Sequence, residues 1–130
     1  EGERSSGNDL MSIKVLYIDD NEQNMRLVRK ILTHAGYEFC GAEDGLSGID
    51  MAHAEQPNLI LVDINLPDID GLEVTRRLKS SALAHIPIIA LTANAMVGDK
   101  ERSLDEGCDA YMPKPVGRQE LLAMMAQFLN

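Results

Sequence analysis

The chain of 130 residues is short of several residue types, and each shortage argues against a class of protein. Its two cysteines, Cys40 and Cys108, lack CxxC spacing, so we expect reduced thiols in an intracellular protein. Twelve basic residues stand against 21 acidic ones, and a net charge of −9 argues against direct nucleic-acid binding. No apolar run approaches the roughly 18 residues of a membrane span, and the polar N-terminus does not resemble a signal peptide. We therefore expect a cytoplasmic protein that does not bind membranes.

The chain does contain short apolar runs that alternate regularly with helical patterns. Such runs are typical of buried parallel strands. We predict strands at 13–18, 38–42, 58–62, 86–91 and 110–112 and helices at about 22–35, 45–54, 72–79, 95–106 and 118–129. This alternation predicts an α/β fold, a doubly wound five-stranded parallel sheet with five helices on its two faces. We expect one domain over residues 12–130, preceded at 1–11 by a disordered tail, linker or tag remnant.

Two details of the helices can also be predicted. Asn21 is expected to cap the start of the first helix, and Gly36 is expected to cap its end. In the second helix we expect Leu46, Ile49 and Ala52 to point inward, because large apolar side chains at this spacing usually face the core.

Polar residues follow the apolar runs at the points where the predicted strands end. These residues are Asp19, Asp20, Asp63, Thr92 and Lys114. In an open parallel sheet the carboxyl ends of the strands share one edge, where ligands bind, so we expect the five side chains to meet. Three carboxylates suit a hard cation such as Mg²⁺. A carboxylate can also attack phosphorus, while an ammonium and a hydroxyl neutralise phosphoryl oxygens.

The motifs around these residues resemble the receiver domains of bacterial two-component response regulators. The resemblance covers about residues 12–129 and is strongest to stand-alone DivK-type receivers and to receivers of hybrid kinases. The matching segments are YIDDNE at 17–22, LVDINLP at 61–67 with DG at 70–71, ALTA at 90–93 and YMPKP at 111–115. The resemblance implies a flavodoxin-like fold with strand order 2-1-3-4-5.

The resemblance also implies roles for individual residues. Asp63 would be the phosphoacceptor. Mg²⁺ would be held by Asp20, by Asp63 and by the backbone carbonyl of Asn65, with Asp19 binding it directly or through water.

Further roles follow from the resemblance for the residues on the last two strands. Lys114 would pair with the phosphoryl group, and Thr92 would hydrogen-bond to it and move when it arrives. Tyr111 would change rotamer together with Thr92, and the Lys114–Pro115 peptide would be cis. A tyrosine on a short strand can also be ordinary core packing, so that alternative stays open for Tyr111.

The implied function is a phosphorylation-dependent signalling switch that takes a phosphoryl group from a histidine kinase or histidine phosphotransfer protein. Such a switch promotes its own phosphorylation and dephosphorylation but has no separate substrate, so it is not an enzyme in the usual sense. The output partner would be another protein. A dimer that forms on phosphorylation would use the fourth helix, the fifth strand and the fifth helix.

Three other functions fit the sequence less well. A pseudo-receiver that is never phosphorylated would not need the complete set of acidic, hydroxyl and ammonium groups. A metal-dependent phosphatase usually has a second acid two residues after its nucleophile, where this chain has Asn65, and it needs a substrate cap. A flavin carrier would have to bind the flavin phosphate beside three repelling carboxylates.

Overall fold

The computed structural model describes residues 13–93 and 98–129, in which strands and helices alternate. The strands are β1 Lys14–Ile18, β2 Glu38–Ala42, β3 Leu59–Asp63, β4 Ile88–Thr92 and β5 Ala110–Pro113. The helices are α1 Glu22–His34, α2 Gly45–Glu55, α3 Gly71–Lys79, α4 Asp99–Asp105 and α5 Arg118–Leu129. The tail predicted at 1–11 and the first residues of the helix predicted at 95–106 lie outside the described residues.

The five strands form one parallel sheet in the order β2-β1-β3-β4-β5, which confirms the predicted fold class and strand order. Val15 pairs with Leu59 between β1 and β3. Ile60 pairs with Ile88 between β3 and β4. Strands β3 and β4 are buried along their whole length, since helices cover both faces of a parallel sheet.

Successive strand residues alternate between two hydrophobic cores, one on each face of the sheet. Leu16 and Ile18 of β1 belong to a core that includes residues of α2 and α3. Val15 and Tyr17 belong to the opposite core, with residues of α1 and α5. Burying one such side chain fully contributes roughly 1.5–3 kcal/mol, so each strand is held from both sides.

Helix α1 shows how local sequence sets the ends of an element. The Asn21 side chain accepts a hydrogen bond from the Asn24 backbone N–H at 2.8 Å, which confirms the predicted N-cap. The predicted C-cap is wrong by one residue, because Ala35 is the cap and Gly36 follows it with a φ of 95°. Glycine adopts this left-handed conformation at little cost, and it turns the chain toward β2.

The prediction that Leu46 points inward is wrong. Its side chain is 48% exposed, while Gly45, Gly48 and Ala52 form the buried face of α2. A Cβ atom on Gly48 would lie 2.5 Å from Cδ1 of Ile18, so the helix lies too close to β1 for a large side chain between them. The small residues therefore face the sheet, and Leu46 is left on the outside.

Cys40 and Cys108 are free thiols, as expected. Burial raises the pKa of both thiols. Within the described ranges, no helix combines the length and the apolar character needed to cross a membrane.

Candidate active site

Three acidic side chains meet at the carboxyl edge of the sheet. Asp19 directly follows β1, Asp20 comes next, and Asp63 is the last residue of the neighbouring strand β3. Each offers a carboxylate oxygen, and the three oxygens lie within 4.8 Å of one another. The predicted convergence of the carboxylates is therefore confirmed, and we call this group the acidic site.

Asp63 is buried but still lines an open cavity. It is 5% exposed, and its Oδ1 accepts a hydrogen bond of 3.1 Å from the Asn65 backbone N–H. Its Oδ2 lies 3.2 Å from Nζ of Lys114. Burial raises the pKa of Asp63 and the charge of Asp19 adds to this, while Lys114 and the Asn65 N–H oppose them.

The start of α3 lies directly against Asp63. A Cβ atom on Gly71 would be 2.3 Å from the Asp63 carbonyl oxygen, and the Gly71 N–H donates to the Ile64 carbonyl at 2.7 Å. Glycine at this position thus permits the close approach that fixes the backbone around Asp63.

Lys114 joins two of the carboxylates. Its Nζ lies 3.1 Å from Oδ2 of Asp19 and 3.2 Å from Oδ2 of Asp63, and its side chain is only 10% exposed. Its backbone N–H donates to the Thr92 carbonyl at 2.7 Å, which ties it to the end of β4. The Lys114–Pro115 peptide is cis, the isomer that the resemblance implies.

Asp19 is almost completely enclosed by hydrogen-bond donors. Its Oδ1 accepts from the Asn21 backbone N–H at 2.8 Å. Its Oδ2 accepts from the Tyr17 hydroxyl and, at 3.4 Å, from Nδ2 of Asn24. Sequence reasoning missed both side chains as parts of the site. The available signal for Tyr17 was its spacing, since residues two apart in an extended chain point the same way.

Asp20 has the opposite environment, because its side chain is exposed. With Asp63 and Lys114 it lines an open cavity of about 480 Å³, whose other lining residues are Asn21, Asn24, Ala93 and Pro115. This cavity leaves the Asp63 carboxylate accessible from solvent.

The two predicted switch residues lie on neighbouring strands. Thr92 is the last residue of β4 and is 1% exposed. Tyr111, on β5, pairs with Ala90 and packs, half-buried, against the core on the α2 and α3 side. Partial burial raises the pKa of its hydroxyl, and the charges of Asp99 and Glu101 add to the effect.

Asn65 is exposed and lies two residues after Asp63. Its amide side chain stands where a phosphatase would usually have its second acid, which weakens that alternative.

The donor set of the acidic site fits a hard divalent cation. Three carboxylate oxygens this close repel one another by roughly 1–4 kcal/mol per pair at surface-like dielectric. Lys114 supplies one positive charge against three negative ones, so the site keeps an excess of negative charge. A small number of carboxylates beside an open, wet cavity is the arrangement in which proteins hold Mg²⁺.

Comparisons with known proteins agree with this geometry. The chain is 43% identical over 121 residues to the polar-differentiation response regulator DivK of Brucella ovis, a match that covers 92% of this chain and 98% of that protein. Brucella melitensis has a DivK with the same identity and coverage.

Solved structures show the same fold. A putative response regulator from Chloroflexus aurantiacus superposes with a TM-score of 0.87 at 27% identity, covering 91% of this chain and 98% of its own. The receiver domain of a sensor histidine kinase from Pseudomonas aeruginosa gives 0.85 at 33% identity, with the same coverage of both chains. That structure has a magnesium ion coordinated in its active-site cleft.

The family model for the response regulator receiver domain matches residues 15–126, which include every strand-end residue of the acidic site together with Thr92 and Lys114. With that match, and with 43% identity to DivK over most of the chain, the protein belongs to the response regulator receiver domains, a family of phosphorylation-dependent signalling switches.

Proposed function

We propose that Asp63 is the residue on which this switch accepts a phosphoryl group, from a histidine kinase or a histidine phosphotransfer protein, with Mg²⁺ as cofactor. The observation that carries the proposal is the position of the Asp63 carboxylate. It borders the open cavity, lies within 4.8 Å of two other carboxylates and is 3.2 Å from the Lys114 ammonium.

The chemistry follows from these neighbours. An Asp63 carboxylate oxygen attacks the phosphorus of the donor and forms a P–O bond. The P–N bond of a phosphohistidine breaks, and the imidazole leaves with the bonding electrons and takes up a proton. Lys114 holds one phosphoryl oxygen, and the Thr92 hydroxyl holds another. When bound, Mg²⁺ supplies positive charge that offsets the negative charge of the carboxylates and of the phosphoryl oxygens.

Asp20, Asp63 and the backbone carbonyl of Asn65 are the ligands we assign to Mg²⁺. Asp19 would contact the ion through water, because both of its oxygens already accept hydrogen bonds from protein groups. Asp20 is exposed to the cavity and has room for a direct ligand bond.

Thr92 and Tyr111 are the residues that we propose to carry the signal outward. A Thr92 hydroxyl drawn to the phosphoryl group would leave space beside β5 that the half-buried Tyr111 ring can enter. The change would be a shift between two existing states, read by a protein partner or a second copy at α4, β5 and α5. Beryllium fluoride should therefore move amide signals along β5; shifts limited to residues 19, 20 and 63 would contradict this.

The remaining assignments belong to the same proposal. The protein acts as a signalling component in the cytoplasm, without a separate substrate and without direct contact to nucleic acid or membrane. We assign residues 12–130 to the receiver unit and residues 1–11 to a segment outside it. The match of the family model to residues 15–126 supports this division.

Phosphorylation with acetyl phosphate tests the central assignment. We expect the intact mass to rise by one phosphoryl group when Mg²⁺ is present, and not after chelation of the metal. Asp63→Asn should abolish the gain. Asp50→Asn, which changes an exposed aspartate on α2, should leave it intact. Full phosphorylation of Asp63→Asn would contradict the assignment.

A further inference from the structure

The hydroxyl of Tyr17 reaches the acidic site from the hydrophobic core on one face of the sheet. It lies on β1, the strand second from one edge, and its side chain is 0% exposed. Its ring packs in the core formed with α1 and α5, and its hydroxyl donates to Oδ2 of Asp19. Packing alone does not explain the hydroxyl, because a phenylalanine ring could fill the same position in the core.

The hydrogen bond ends at the oxygen that Lys114 also uses. Oδ2 of Asp19 accepts from the Tyr17 hydroxyl and from Nζ of Lys114 at 3.1 Å. A carboxylate oxygen has about two lone pairs, so these two donors take up most of its capacity, and the contact from Nδ2 of Asn24 at 3.4 Å is the longest of the three. The orientation of Asp19 is thereby fixed, and with it the position of Lys114 beside Asp63.

We propose that Tyr17 is a positioning residue: its hydroxyl holds Asp19 so that Lys114 stays between Asp19 and Asp63. The metal is then left to the ligands already assigned to it, without direct contact from Asp19. The inference rests on the proposed function, because it concerns the same site. Without the hydroxyl, Oδ2 of Asp19 keeps only Lys114 and the longer contact from Asn24. Asp19 is then held less firmly and can turn toward the cation or the cavity, and the second anchor of Lys114 is less fixed.

Tyr17→Phe tests this, with binding of beryllium fluoride in the presence of Mg²⁺ as the readout. Loss of a group that orients a metal-site carboxylate typically weakens binding 10–100-fold, and we expect about tenfold here. Tyr37→Phe is the matched control. Tyr37 packs on the same core cluster but directly precedes β2, at the amino ends of the strands and away from the acidic site at their carboxyl ends, so its substitution should not change binding.

A double-mutant cycle separates positioning from packing. If Tyr17 acts through Asp19, Tyr17→Phe should change binding less than about twofold in an Asp19→Asn background. Binding by Tyr17→Phe within twofold of the unmutated protein, tighter binding, or the same tenfold loss in the Asp19→Asn background would each overturn the inference.

Two further comparisons keep the result interpretable. Urea unfolding of each variant shows whether it is folded, and Tyr17→Leu, which also removes the hydroxyl, replaces Tyr17→Phe if that variant does not fold. Failure of the unmutated protein to bind beryllium fluoride would count against Asp63 as phosphoacceptor. Normal binding with no effect of Tyr17→Phe would count against the role of Tyr17 alone.

Discussion

At the scale of single residues, the chemistry depends on the charge state of Asp63. Burial and the Asp19 charge raise its pKa, whereas the Lys114 ammonium lowers it. We therefore predict that, in Mg²⁺-free protein, Asp63 titrates above the ordinary aspartate value of about 3.9. Lys114→Met should raise the pKa of Asp63 further, and Asp19→Asn should lower it. Carbon-13 NMR of the carboxyl groups measures all three values, and opposite shifts in the two variants would refute this electrostatic picture.

Single residues also show where sequence reasoning reached the site and where it stopped. The sequence was sufficient to place Asp19, Asp63 and Lys114 together. The carboxyl ends of parallel strands share one edge of the sheet, and this follows from the backbone alone. The hydrogen bonds from Tyr17 and Asn24 to Asp19 could not be predicted, because they depend on side-chain rotamers and on the path of the chain into α1.

At the scale of elements, Asp68 joins the loop after β3 to the start of α2. Its two oxygens accept from the backbone N–H groups of Gly45 at 2.7 Å and Leu46 at 2.8 Å. Slight desolvation opposes its ionisation, but the hydrogen bonds from Leu46 and Gly45 hold its pKa below the ordinary range. The loop that carries Asn65 is thus attached to a helix two elements earlier in the chain.

The lowered pKa of Asp68 predicts the sign of a pH effect. A carboxyl group with a lowered pKa in the folded state contributes stability above its unfolded pKa, and this contribution is lost as the pH falls through the folded pKa. Asp68→Ala should therefore lower the free energy of unfolding at neutral pH and change it less in acid. Urea unfolding at both pH values tests this, with Asp50→Ala on α2 as the control. An equal loss at both pH values would show that ionisation of Asp68 contributes nothing.

The elements also show why some sequence predictions fail. The order of the elements follows from hydrophobic patterns, and the cap at Asn21 follows from local hydrogen bonding. The exposure of Leu46 cannot be read from such patterns. It depends on the distance between α2 and β1, which is set by the contact of Gly48 with Ile18. A pattern of large apolar residues cannot reveal a helix face built from glycine and alanine.

At the scale of the whole molecule, the acidic site destabilises the fold when no cation is bound. The chain carries a net charge of −9, and three of its carboxylates are held together at one edge of the sheet. In the absence of a cation their repulsion opposes folding, and a bound cation stabilises the folded state by mass action. The raised pKa of Asp63 also means that its ionised form opposes folding. The stability that the protonated carboxyl contributes is lost as the pH rises through the pKa of the folded state.

Removing one charge should therefore stabilise the metal-free protein. We predict that Asp20→Asn raises its free energy of unfolding by about 1 kcal/mol, the lower end of the repulsion between close carboxylates. The same variant should lose the additional stability that Mg²⁺ gives to the unmutated protein. Urea unfolding with and without Mg²⁺ measures both effects, and an undiminished effect of Mg²⁺ on Asp20→Asn would remove Asp20 from the metal ligands.

The most direct test of the central claim is to locate the phosphoryl group on the chain. Borohydride reduces an acyl phosphate of aspartate to homoserine, and peptide mass spectrometry then identifies the residue that carried it. After incubation of the unmutated protein with acetyl phosphate and Mg²⁺, we predict homoserine at the position of Asp63. Homoserine at Asp19 or Asp20, or its absence from a fully phosphorylated sample, would contradict the assignment of Asp63 as the phosphoacceptor.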